Sequence, residues 1–97
     1  MKTNPATKIV KRTIKFKKNR WRNNGLASDA AILNAAHECA SRYDATIIRT
    51  VMRENEILNT FTTCKIVFCC ERGKWLPMIT LFLSVVRDSI QDVSYTN

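Results

Sequence analysis

Between Lys8 and Lys18 the chain alternates. Val10, Ile14 and Phe16 fall on one parity, and Lys11, Thr13, Lys15 and Lys17 on the other. Successive side chains of a strand point to opposite faces, so this spacing predicts a half-buried strand whose outer face is a row of lysines. Arg12 is the one break in the apolar face. A sheet is therefore part of the fold, and its first strand is basic. Asn19–Gly25 continues it as a turn-rich basic loop. Residues 1–7 read as a flexible N-terminus and 8–97 as a single domain, of which 8–25 is the basic strand and loop.

The charge is unevenly spread. The chain has 97 residues and a formal net charge of +8. Residues 1–27 hold nine basic residues and no acid, whereas 28–97 hold seven basic and eight acidic residues. A block of like charge attracts counter-charge, and phosphate is its commonest source. Nucleic acid is the first partner this suggests and an anionic membrane surface the second. A solvated tail that only aids solubility is the plainer reading. No apolar run is long enough for a transmembrane helix, and the basic, polar start shows no secretory leader. The expected location is intracellular, in cytoplasm or nucleus. The Lys/Arg run also resembles a nuclear import signal, a pattern that basic runs match easily.

A helix is predicted over 28–43. Ser28 and Asp29 suit its start, and Ile32, Ala36, Cys39 and Tyr43 form a stripe that Leu33 and Ala40 widen. Residues 44–53 are ambiguous: Thr46, Ile47, Ile48, Thr50 and Val51 favour a strand, while Ile47, Ile48, Val51 and Met52 also fit a helical stripe. Phe61–Cys70 is the clearest strand, with Cys64, Ile66, Phe68 and Cys70 pointing one way and Thr63, Lys65, Val67 and Cys69 the other. Residues 54–59 would be the hairpin connection. The last helix is predicted over 76–93, with Pro77 in its first turn and Ile79, Phe82, Leu83, Val86, Ile90 and Val93 as its stripe. Met78, Leu81 and Val85 form a second apolar stripe that one sheet face leaves uncovered, which predicts a homodimer contact.

The order β-α-β-β-α predicts a small α+β fold, with both helices on one face of an antiparallel-rich sheet. It is half of a ferredoxin-like fold. A short fourth strand at Val93–Thr96 would complete it. The alternative is a mostly helical chain with an N-terminal basic ribbon, reached if 44–58 is helical. That would resemble a ribbon-helix-helix DNA-binding regulator, with Lys11, Thr13, Lys15 and Lys17 facing the groove. The strong strand at 61–70 has no place in it.

Catalysis has little support, and the chain is read as no enzyme. His37 has no Ser or Asp beside it in sequence, and Gly25 and Gly73 make no phosphate-cradling loop. His37 and Cys39 diverge on a helix, so no metal site is expected from them with Cys64, Cys69 or Cys70. The four cysteines are read as free thiols, and no cofactor is implied. The expected function is nucleic-acid binding, RNA over DNA, by backbone and shape. Its expected contacts are Lys8, Lys11, Arg12, Lys15, Lys17, Lys18, Arg20, Trp21 and Arg22, with Trp21 as a stacking ring or as packing at the sheet edge. The third strand lacks the exposed aromatics of a ribonucleoprotein-type sheet, since it shows Thr63, Lys65, Val67 and Cys69. The short chain also suits a viral or phage accessory protein. The rival expectation is a protein-interaction module, an inhibitor or adaptor working through its apolar C-terminal helix.

Overall fold

The computed structural model describes residues 7–19, 28–54 and 61–96. Its elements are β1 (Ile9–Asn19), α1 (Asp29–Arg42), β2 (Thr46–Glu54), β3 (Phe61–Glu71), α2 (Arg72–Val86) and β4 (Ile90–Tyr95), with a 3-10 turn at Arg87–Ser89 leading into β4. The four strands form one sheet in the order β2-β3-β1-β4, and every neighbouring pair is antiparallel. Each helix thus carries the chain past one intervening strand, α1 past β3 and α2 past β1. This is the complete β-α-β-β-α-β arrangement.

The alternation in β1 sets the layers. Val10, Ile14 and Phe16 join Cys64, Ile66, Phe68 and Cys70 of β3 in one buried cluster. Ile32, Ala36, Cys39 and Ala40 of α1 cover it, together with Trp75, Met78, Ile79, Phe82 and Val86 of α2. Phe16 and Phe82 meet at 5.9 Å between ring centroids, and Phe68 and Trp75 at 5.7 Å. The Trp75 indole N–H donates to the Thr96 carbonyl at 2.6 Å, so the one polar atom of a buried ring is satisfied while the chain end is tied to α2.

Ser28 caps α1 as its sequence suggests, its hydroxyl accepting from the Ala31 N–H at 3.1 Å. At the other end Asp44 takes a left-handed conformation, φ 55°, which a short polar side chain tolerates. Lys74 holds that turn against the start of α2. Its ammonium lies 3.3 Å from the Asp44 carboxylate and 3.7 Å from that of Glu71. Its pKa is raised, first by the hydrogen bond to Asp44.

Two expectations are corrected. Residues 46–54 are strand, paired with β3 from Thr46↔Cys69 to Glu54↔Thr62, so the mostly helical alternative and the ribbon-helix-helix reading fall. The last helix runs from Arg72 to Val86 rather than over 76–93, and Pro77 lies inside it rather than in its first turn. Residues 90–95 are instead the fourth strand, longer than the tail foreseen for it. The outer edge of β1 supplies the reason: its backbone groups need partners, and β4 provides them from Ile14↔Tyr95 to Lys18↔Ile90. Two irregularities mark the outer strands. β2 bulges between Ile47 and Arg49, and the pairing of β4 with β1 shifts between Lys15 and Lys17, near Asp92 at φ 54°.

Candidate nucleic-acid interface

One face of the sheet carries the helices, and the other carries cations. Lys11, Lys15 and Lys17 project from β1 on the parity opposite the core. Cross-strand pairing extends that face through β3 and β2. Lys15 stands opposite Lys65, Lys65 opposite Val51, and Thr63 lies between Lys17 and Arg53. Arg49 pairs with Val67. Six cations from three strands, Lys11, Lys15, Lys17, Arg49, Arg53 and Lys65, therefore share one surface. Two directly opposed lysines repel, and such a pair costs the fold a few tenths of a kcal/mol or more, about 0.2–1. The arrangement gains only when an anion lies between them.

The face is not flat. Lys15, Arg49, Val51, Arg53, Thr63 and Lys65 line a hollow of about 270 Å³. Beside it, Thr13, Lys15, Lys65, Ser94, Tyr95 and Thr96 line another of about 340 Å³. Lys15 and Lys65 form the shared wall. Val67, flanked across the strands by Thr13 and Arg49, is 7 % exposed although it belongs to this face and not to the core cluster. Long basic side chains lay their aliphatic stems over such a residue while their heads stay in water.

Among the described residues, Asp92 brings a negative charge to this surface. Its carboxylate lies 3.3 Å from the Lys17 ammonium, which also sits 4.5 Å from the centre of the Phe61 ring. Phe61 occupies the first position of β3, opposite Asn19, on the parity of Thr63 and Lys65. The outer face thus does carry an aromatic ring, half-buried at one end of the cation group.

A structural comparison bears on the fold. The ACT domain from the GTP pyrophosphokinase of Chlorobium tepidum superposes with a TM-score of 0.56 at 14 % sequence identity, covering 92 % of this chain and all of that one. The two share a fold. At that identity the likeness extends to the α+β architecture and no further. No protein-family model and no curated protein sequence matches the chain.

The expected contact residues divide. Lys11, Lys15 and Lys17 lie together on the outer face, and Lys8 is exposed just before β1. Lys18 is on the core parity, 8 % exposed, with its ammonium 3.1 Å from the Asp29 carboxylate, so it is withdrawn from the comb. Arg12 is also on the core parity, opposite Phe68. One guanidinium nitrogen donates to the Lys11 carbonyl at 3.1 Å, and its buried Nε has no partner. Arg20, Trp21 and Arg22 lie outside the described residues. Arg49, Arg53 and Lys65 were missed because residues 28–97 sum to near-neutral. Only the pairing of β2 with β3 reveals that their cations share a face. The parity of Phe61 with Lys65 was the available signal for the ring.

The remaining candidates resolve differently. Met78 is fully buried in the core, so it is not part of an exposed stripe, and Leu81 packs half-buried against the same cluster. Val85 is 60 % and Leu76 50 % exposed, and these are the apolar side chains that α2 leaves open. The four cysteines are free, Cys69 half-buried on the outer face and the others buried. Burial pushes the Cys64 thiol up to about 11, with Asp29 adding to the rise. Among the described residues no three His, Cys, Asp or Glu side chains converge on a point that could hold a metal, and no helix is long and apolar enough to cross a membrane.

Proposed function

We propose that this chain is an intracellular nucleic-acid-binding protein that grips phosphates across its uncovered sheet face, RNA in preference to duplex DNA. The observation that carries the reading is the register pair Lys15↔Lys65 with Arg49 and Arg53 around the same hollow. Arginine matches phosphate with a planar fork, and lysine supplies a mobile point charge beside it. The preference for RNA rests on shape. Duplex DNA readers insert a helix or a two-stranded ribbon into a major groove about 12 Å wide. Here both helices lie behind the sheet, and β1 is a central strand flanked on both sides. A broad basic sheet suits an RNA backbone presented on a surface, and phosphate contacts carry no base identity.

Gel-shift titration with random-sequence RNA and with duplex DNA, repeated over a salt series, tests this. With four or five phosphates held, log K falls against log[salt] with a slope of about −3 to −4. Retention of neither polymer at low salt would overturn the proposal.

A further inference from the structure

We infer that the nucleic acid taken by this face is single-stranded, with one base stacked on Phe61 and the flanking phosphates held by Lys17, Arg53 and Lys65. The inference rests on the phosphate-binding reading above and extends it to the form of the polymer. Phe61 shares the outer parity with Thr63 and Lys65, so positions 61 and 65 face the same side of the sheet, about 13 Å apart along the strand. Arg53 stands opposite Thr63, between them. Ring and cations are therefore juxtaposed on the scale of a few nucleotides.

The present occupant of the ring is exchangeable. Lys17 lies over Phe61 at 4.5 Å and reaches Asp92 at 3.3 Å, with its side chain 39 % exposed. A cation on an exposed ring is worth about 0.5–1 kcal/mol, whereas a base stacked on an aromatic side chain is worth about 1–3. A base displaces the ammonium, and the freed ammonium then meets the phosphate that arrives with the base. In a duplex the bases are stacked on each other and present only their edges, so Phe61 has nothing to stack on.

Fluorescence anisotropy with three probes of equal phosphate number decides the point: an oligouridylate of about twelve nucleotides, an abasic sugar-phosphate strand, and a duplex RNA. The full-length protein is expected to bind the oligouridylate at least about fivefold more tightly than the abasic strand, and more tightly than the duplex. Phe61→Leu keeps an apolar side chain at a half-buried position and is expected to weaken oligouridylate binding about 5- to 100-fold, and abasic-strand binding far less. Phe61→Tyr retains binding. Equal affinity of the unaltered protein for all three probes overturns the stacking inference and leaves phosphate binding standing. Binding of none of them overturns the phosphate reading and the stacking inference together. The comparison among probes uses the unaltered protein, so the test holds even if Phe61→Leu fails to fold.

Discussion

The Lys18 ammonium meets the Asp29 carboxylate at 3.1 Å, joining the end of β1 to the first turn of α1. Lys18 keeps 9 % of its side-chain exposure and Asp29 keeps 47 %. Removing the acid leaves a nearly buried cation alone, whereas replacing the cation by an apolar chain of similar length leaves only a half-exposed acid. Asp29→Ala is therefore expected to cost about 1–3 kcal/mol, and Lys18→Met much less. Urea denaturation of the two variants measures the difference. Equal losses would mean the pair contributes by its shape alone.

Lys15 and Lys65 predict opposite effects on folding and binding. Changing both to Gln removes a repulsive cross-strand pair, and stability is expected to rise by about 0.2–1 kcal/mol. The same change removes two of the proposed phosphate contacts, so the salt slope of RNA binding is expected to become shallower by about 1.5. Thermal melting and a salt titration on one preparation read both. A slope that does not move would mean that these lysines are merely solvated.

Asp92 pairs with Lys17 at one end of the face, so on the proposed function it opposes a phosphate there. Asp92→Asn keeps a residue suited to φ 54° and removes the charge. RNA affinity at low salt is expected to rise about 2- to 5-fold, the scale of one exposed ion pair. Asp92→Val is expected instead to destabilise the strand by about 1–2 kcal/mol, because a β-branched residue is strained in the left-handed region. Anisotropy for the first variant and melting for the second separate charge from backbone.

Cys64 predicts a loss of stability in alkali. Its thiol titrates at about 11 in the folded chain against an ordinary 9.0, so between those values the unfolded state has released a proton that the native state still holds. The contribution is complete below pH 9 and is lost as pH rises through about 11. Urea midpoints at pH 8 and near 10.5 are expected to fall more for the unaltered protein than for Cys64→Ala, whose own cavity cost is independent of pH. Parallel declines would assign the alkaline loss to other groups.

The inner layer was legible where one period dominates. The parity of Val10, Ile14 and Phe16 placed β1, and Ser28 with Ile32, Ala36 and Cys39 placed α1 within a residue of its observed ends. The end of α2 was not legible, because Val86, Ile90 and Val93 continue a helical spacing across what is a 3-10 turn and a strand. The irregular register near Asp92 removes the plain alternation that would have announced β4. At the candidate site, the β1 lysines could be read from their own strand. Arg49, Arg53 and Lys65 could not, because their proximity to Lys15 arises from pairing between distant segments. Lys18 was misassigned for the converse reason: its parity already pointed inward, and only the partner at Asp29 explains how a cation stays there.

The bulge between Ile47 and Arg49 sits on β2, an outer strand of the sheet. An uninterrupted outer strand offers its unpaired amides and carbonyls to any other chain, and with cations on one side it would let sheets of this protein stack edge to edge once nucleic acid had neutralised them. The extra residue breaks that hydrogen-bonding rhythm midway along the strand. The bulge is therefore expected to keep two copies of the chain from pairing edge to edge through β2.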